Sequence, residues 1–185
     1  GSFGRFDADG TAARFTSPVG VALNAAGTVL YVTDNITIRK ITLAGVHVET
    51  LAGTAGAVGN VNATGAAARF SSSAGLVEDG SGNLYVADPR NDTIRFVTAG
   101  GVVTTFAGSP LAFGSTDGIG SAALFYFPKG VAPDGLGNVY IADTNNHTIR
   151  KIAADGTVTT IAGTPGTTGS TDGSGALALF NSPAA

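Results

Sequence analysis

The chain has 185 residues, a net charge of −3 and 43% hydrophobic content, enough apolar material for a sizeable core and too much for a disordered segment. Its lysines, Lys40, Lys129 and Lys151, and its scattered arginines form no basic stripe, which disfavours nucleic acid as a partner. The absence of cysteine excludes disulfides, thiolate catalysis and zinc–thiolate sites, and no apolar run approaches the about 20 residues needed to span a bilayer.

Met is missing even at position 1, which fits a processed product or an excised piece, and the opening Gly-Ser fits a tag remnant. Abundant Thr, Ser, Gly and Asn with few Lys point to an extracellular or cell-surface setting. Twenty-eight glycines together with Thr and Val predict short strands joined by tight turns, because Gly supplies positive φ and β-branched residues fit a pleated surface.

The chain repeats. Phe15, Phe70, Phe125 and Phe180 stand 55 residues apart, and Gly53, Gly108 and Gly163 keep the same step. A period of this size marks a supersecondary unit that buries its apolar face only against its neighbours. Residues 1–185 therefore form one array, with units at 15–53, 70–108 and 125–163 and the start of a further one at 178–185.

Each unit opens with a linker in which Asp7, Asn62, Asp117 or Asp172 precedes the marker Phe by eight residues. Pro18, Ser73, Pro128 or Pro183 follows, then Gly20, Gly75 or Gly130 in the full units. First strands are predicted at 21–23, 76–78 and 131–133, where Pro133 signals that the ladder is ending. A turn at Gly27, Gly82 or Gly137 leads to second strands at 30–33, 84–87 and 139–142, alternating around Tyr31, Tyr85 and Tyr140 and closing on Asp34, Asp88 or Asp143. Third strands at 37–41, 93–97 and 148–152 carry an internal Ile-Arg. Gly45, Gly100 to Gly101 or Gly156 then precedes fourth strands at 48–52, 103–107 and 158–162. Four short antiparallel strands at this spacing predict one blade of a β-propeller.

Unit one has an extra residue before Tyr31, two fewer between Asp34 and Arg39, and one extra before Gly53. These changes fall in connections and preserve the step.

The segments Asn83-Leu84-Tyr85-Val86-Ala87-Asp88 and Asn138-Val139-Tyr140-Ile141-Ala142-Asp143, followed by Thr93-Ile94-Arg95 and Asn146-His147-Thr148-Ile149-Arg150, resemble the core pattern of NHL repeats. The resemblance implies an all-β propeller of four-stranded antiparallel blades, commonly six, with the linkers and the second-to-third-strand loops on the ligand-facing side. Three full blades make half of such a ring; either a second copy closes it through a two-fold axis or the chain is a piece of a longer array.

The recurring pairs Asp34–Arg39, Asp88–Arg95 and Asp143–Arg150 read as structural, with each planar Arg bracing neighbouring blades. Asp7-Ala8-Asp9-Gly10, Thr116-Asp117-Gly118 and Thr171-Asp172-Gly173 look like pieces of calcium loops. The twelfth position from Asp7 is Pro18 where such a loop needs a bidentate Glu, so local Asx turns explain these acids better. His47 and His147 stand at non-equivalent positions and form no ligand set with each other. The few glutamates disfavour a metal-dependent hydrolase or lyase of the lactonase type, which is the enzymatic alternative together with a purely architectural segment. Glu78 and Asp134 are the acids placed to approach the ring axis.

The expected function is therefore a non-enzymatic binding scaffold without cofactor, catalytic residue or metal, taking a protein, peptide or glycan. Candidate contacts are Pro89, Arg90, Asn91 and Asp92 in one loop, Thr144, Asn145, Asn146 and His147 in its counterpart, and Tyr126, Phe127 and Lys129 in a linker. Side chains vary there between otherwise matching units.

Overall fold

The computed structural model describes residues 4–184; Gly1-Ser2 and the final Ala185 of the last unit lie outside them. Each unit forms one antiparallel sheet. The first contains β1 (Ala8–Asp9), β2 (Pro18–Leu23), β3 (Val29–Asp34), β4 (Thr37–Thr42) and β5 (His47–Ala52). The second contains β6 (Leu76–Glu78), β7 (Leu84–Asp88), β8 (Thr93–Val97) and β9 (Val103–Ala107). The third contains β10 (Gly118–Ile119), β11 (Pro128–Pro133), β12 (Val139–Asp143), β13 (Thr148–Ile152) and β14 (Thr157–Ala162).

The expected uniform four-stranded blade requires correction, because the first and third sheets have five strands, in the orders β1-β5-β4-β3-β2 and β10-β14-β13-β12-β11. The added β1 and β10 are two-residue pieces of linker pairing with the outermost strand, Ala8 opposite Val48 and Gly118 opposite Val158. In the second sheet the same contact shrinks to one bridge between Thr64 and Val102. Strands β2 and β11 also begin three residues before their predicted starts, at Pro18 and Pro128. Each is a sheet edge, where a prolyl nitrogen leaves no ladder bond unmade.

The inner strands β2, β6 and β11 are neighbours at the centre of the array. Gly20 and Gly75 permit that approach: a Cβ there would lie 2.7 Å from the carbonyl oxygen of Ala74 and 2.5 Å from that of Lys129. Gly53, Gly108 and Gly163 have φ of 89°, 92° and 89°, and a Cβ on each would meet the carbonyl of Ile36, Asp92 or His147. Conformation and contact both demand glycine.

Leu84, Val86, Val97 and Val103 of the second sheet pack with Tyr31, Ile36, Ile38 and Ala52 of the first. On its other face, Ala87, Ile94 and Ala107 meet Val139, Ile141, Ile152 and Val158 of the third. The outer faces of the end sheets lack this cover. Val21 is 65% exposed where its counterpart Leu76 is 5% exposed. Ile149 and Ala162 are half-buried where Ile94 and Ala107 are buried.

Candidate functional site

A buried clasp sets each linker on its blade. In the second unit, Arg95 donates to Asp88 at 3.2 Å, to the carbonyls of Arg69 and Val61 at 3.0 and 3.4 Å, and to the Asn62 side chain at 2.8 Å. Arg150 repeats this with Asp143, Leu124, Thr116 and Asp117 at 2.8, 2.9, 3.1 and 2.8 Å. Arg39 reaches Asp7 at 2.6 Å but stands 3.6 Å from Asp34. The guanidiniums lie over Phe15, Phe70 and Phe125 at 4.8, 5.1 and 5.2 Å.

The arginines therefore join a blade to its own incoming linker, correcting the expected brace between neighbouring blades. The linker acids are corrected too: Asp7 and Asp117 do not cap nearby amides but accept from the distant Thr50 and Thr160 as well as from the arginines. Among the described residues no three His, Cys, Asp or Glu side chains converge. Glu78 accepts the N–H of Gly82, and Asp134 accepts from Leu136 and Asn138, so both acids serve their own hairpins.

The predicted loop residues do meet, but most of their side chains are engaged by the scaffold. Residues Pro89–Asn91 and Thr144–Asn146 are single 3₁₀ turns. Asn91 donates to Asp88 and to the carbonyl of Gly59 at 2.7 and 2.8 Å, and Asn146 to Asp143 and Gly114 at 2.7 and 2.6 Å. Unit one lacks this Asn because its loop is two residues shorter, and its Asp34 sits further from the Arg. Thr144 donates to the carbonyl of Pro183 at 2.7 Å, and His147 accepts the N–H of Ser182 through Nδ1 at 3.0 Å. Pro89, Asn91, Asp92, Thr144 and Asn146 are buried. These five expected contacts are held within the scaffold, where they support the loops.

Burial pushes the Asp88 and Asp143 carboxyls above the ordinary carboxylate range, opposed by the hydrogen bonds each accepts. Burial likewise raises that of Asp92, opposed by the N–H of Phe127, which donates to it at 2.8 Å. That bond draws Phe127 onto the first loop, while Asn145 donates its N–H to the carbonyl of Tyr126 at 3.0 Å. The linker between the second and third blades is thus pinned on both sides.

What this linker exposes is aromatic. Phe113 stacks on Tyr126 with ring centroids 4.8 Å apart and planes inclined by 30°. They are 64% and 39% exposed, and Leu111 beside them is 73% exposed. Half-buried Phe127 lies 5.5 Å from the Lys129 ammonium. Arg90 is exposed, and the N–H of Leu111 donates to the carbonyl of its neighbour Asn91 at 3.2 Å. Flat apolar faces beside two cations suit a ligand with an apolar surface and negative charge.

Leu111 and Phe113 were absent from the expected set, yet the repeat carries their signal. Leu111 replaces Gly56 and Gly166, and Phe113 replaces Val58 and Thr168. All three turns close alike, the N–H of Ala57, Ala112 and Thr167 donating to the carbonyl of Thr54, Ser109 and Thr164. Their third residues have φ of 76°, 65° and 75°. Leucine therefore stands in a left-handed position that the other two units give to glycine.

Residues 125–152 match the family model of the NHL repeat. A human protein, NHL repeat-containing protein 2, is 36% identical over 57% of this chain and 16% of its own length. Among solved structures, a Bacteroides thetaiotaomicron protein of unknown function has a TM-score of 0.73 at 26% identity, over 90% of this chain and 41% of its own. An auxiliary nutrient binding protein from Bacteroides ovatus has a TM-score of 0.70 at 19% identity, over 93% and 43%. A streptogramin B lyase shares the fold, with a TM-score of 0.58 at 14% identity over 84% and 43%. The chain thus spans a sixth of its human relative and less than half of these structures. The matched third unit carries an NHL repeat, and the same marker residues recur one and two steps of 55 before it, so the chain is similar to NHL-repeat proteins and shares the β-propeller fold of these structures.

Proposed function

We propose that this chain is a non-enzymatic binding module whose recognition surface is the patch formed by Leu111, Phe113, Tyr126, Phe127, Lys129 and Arg90. The observation that carries the reading is Leu111, exposed and left-handed at a position where the other units have glycine. A bulky residue held there works against folding, and such local conflicts gather where function overrides stability. The fold itself does not decide between classes, since a nutrient-binding protein and a lyase both carry it.

The ring on which this patch sits is closed by a second copy, whose first blade covers the outer face of the third. The two uncovered faces are the two halves of the interface already made twice within the chain. A composition rich in Ser, Thr, Gly and Asn and poor in Lys suits an extracellular or cell-surface setting.

The test is a screen of peptide and glycan arrays with the parent chain and with Phe113→Ala and Tyr126→Ala. A ligand bound by the parent and lost by both folded variants supports the patch. Binding unchanged in both variants, or turnover of a lactone or ester substrate by the parent, overturns the reading.

A further inference from the structure

Two bulky residues of the aromatic patch hold backbone conformations that the repeat elsewhere gives to small ones. Leu111 has φ of 65° where Gly56 and Gly166 have 76° and 75°, and Phe127 has φ of 56° where its repeat equivalent Ser182 has 54°. A leucine or phenylalanine in the left-handed region is strained. Core packing explains neither, since Leu111 is exposed and Phe127 only half-buried. Strain is thus accepted twice on one linker, and each time it leaves an apolar side chain at the surface.

The same place gathers cations that have no acid of their own. Elsewhere, Arg39, Arg95 and Arg150 bind aspartates, Lys40 binds Glu49 at 2.8 Å, and Arg14 and Arg69 donate to carbonyls of their own linkers. Among the described residues Arg90 and Lys129 make no such ion pair or side-chain hydrogen bond. Asp92, on the loop that carries Arg90, is buried, and its carboxylate accepts the N–H of Phe127 at 2.8 Å. Lys129 accepts the N–H of Gly75 through its carbonyl at 3.0 Å, which sets it where the inner strands meet. On a chain of net charge −3, these two side chains form a local positive area beside Phe113 and Tyr126.

We propose that the patch takes an acidic peptide segment, with an apolar side chain laid on the Phe113–Tyr126 pair and carboxylates bound by Arg90 and Lys129. The inference rests on the patch reading given under Proposed function and names its ligand class. Charge complementarity selects the acid: a guanidinium matches a carboxylate with two parallel donors, and an ammonium adds a point charge. The polar side chains select peptide over sugar. A sugar's hydroxyls need donors and acceptors around the aromatic platform, but Asn91, Thr144 and Asn146 are buried and bonded to the scaffold. An anionic membrane is held by clusters of about four to eight cations, and two on a net-negative chain fall short of that. The linker is already pinned through Asp92 and Asn145, so the platform is preformed and binding orders little backbone.

The experiment is selection of a displayed random heptapeptide library on the full chain, with counter-selection on Phe113→Ala and circular dichroism as the folding control. The enriched peptides are then titrated against the parent, Arg90→Gln and Lys129→Gln at low and high salt. Enriched sequences should pair an aromatic or aliphatic residue with Asp or Glu. Each charge variant should weaken binding about two- to fivefold and both together about tenfold, with the difference shrinking as salt rises. Peptides enriched without acidic residues, or bound equally by parent and charge variants, overturn the acidic class and preserve the patch. An oligogalacturonate or phosphatidylserine vesicles bound by the parent and lost in Phe113→Ala, with no peptide enriched, overturn the peptide and also preserve the patch. If none of these probes distinguishes the parent from Phe113→Ala, the patch and its ligand class fall together.

Discussion

The guanidinium carbon of Arg95 lies 5.1 Å from the ring centroid of Phe70, and the same guanidinium donates to Asp88 from its edge. The face of the cation is spent on the aromatic ring and its edge on oxygen, leaving Nε without an acceptor in all three units. Asp88 in turn accepts the N–H groups of Ser71 and Ser72, just beyond Phe70. Phe, Arg and Asp, distant in sequence, thereby fix one crossing of linker over blade.

Arg95→Lys should lower the melting temperature steeply. A lysine carries a compact point charge without the planar fork, so it cannot serve Asp88, Asn62 and two carbonyls together. Breaking a buried, hydrogen-bonded pair costs about 3–5 kcal/mol, and in a chain of this size that is roughly 6–20 °C. Calorimetry of the variant checks this; melting within a degree of the parent would contradict the clasp.

Phe70→Ala and Phe125→Ala should each destabilise by about 3–5 kcal/mol, because both rings are fully buried and leave a cavity beneath a guanidinium. Phe15→Ala should cost less, since its ring is half-buried and has no preceding blade within the chain. Denaturant unfolding of the three variants measures the difference. Equal losses at all three positions would show that packing on the preceding blade adds nothing to the clasp.

Much of this was readable because an array states each requirement three times. The Phe and Gly markers, the strands and the Asp–Arg pairs all recur, and what recurs is what every blade needs to fold. The partner of each Arg was harder to see. Asp7, Asn62 and Asp117 stand more than 30 residues from their arginines, and period alone does not say which of two distant conserved-step positions touch. Burial of Asn91 and Asn146 was equally hidden, because a polar loop in sequence looks exposed until its amide finds a carboxylate beneath it. Leu111 and Phe113 were visible as departures from glycine and small residues. Their meaning emerged only with the positive φ and the stacked Tyr126.

The contribution of Asp117 to the third unit's clasp should be lost in acid. Burial works to raise the Asp117 carboxyl, but the hydrogen bonds from Thr160 and Arg150 outweigh it and hold the group below its ordinary value. A depressed carboxyl contributes stability above the unfolded pKa of about 3.9, and that contribution is lost as pH falls through the folded value. Asp117→Asn gives the third unit the neutral residue that Asn62 supplies in the second. The variant should lose less stability than the parent between pH 5 and pH 3. Because Asp117 is 48% exposed, water screens the effect and the difference is small. Parallel pH–melting curves would refute the assignment.

Leu111→Gly should separate folding from recognition. The left-handed backbone costs a leucine about 1–2 kcal/mol, while glycine gives back about 0.5–1 kcal/mol through the freer unfolded chain. The net change favours the variant slightly, by roughly 1–3 °C in melting temperature. The side chain removed is 73% exposed and supports no core, so no packing loss offsets that gain. If the patch binds, the same substitution strips one of its apolar faces and lets the turn relax away from the stacked Phe113 and Tyr126, so affinity should drop while stability rises. Scanning calorimetry paired with titration of the array-selected ligand reads both quantities on one sample. A variant that is less stable, or that binds as tightly as the parent, would mean that the strained leucine serves the fold after all.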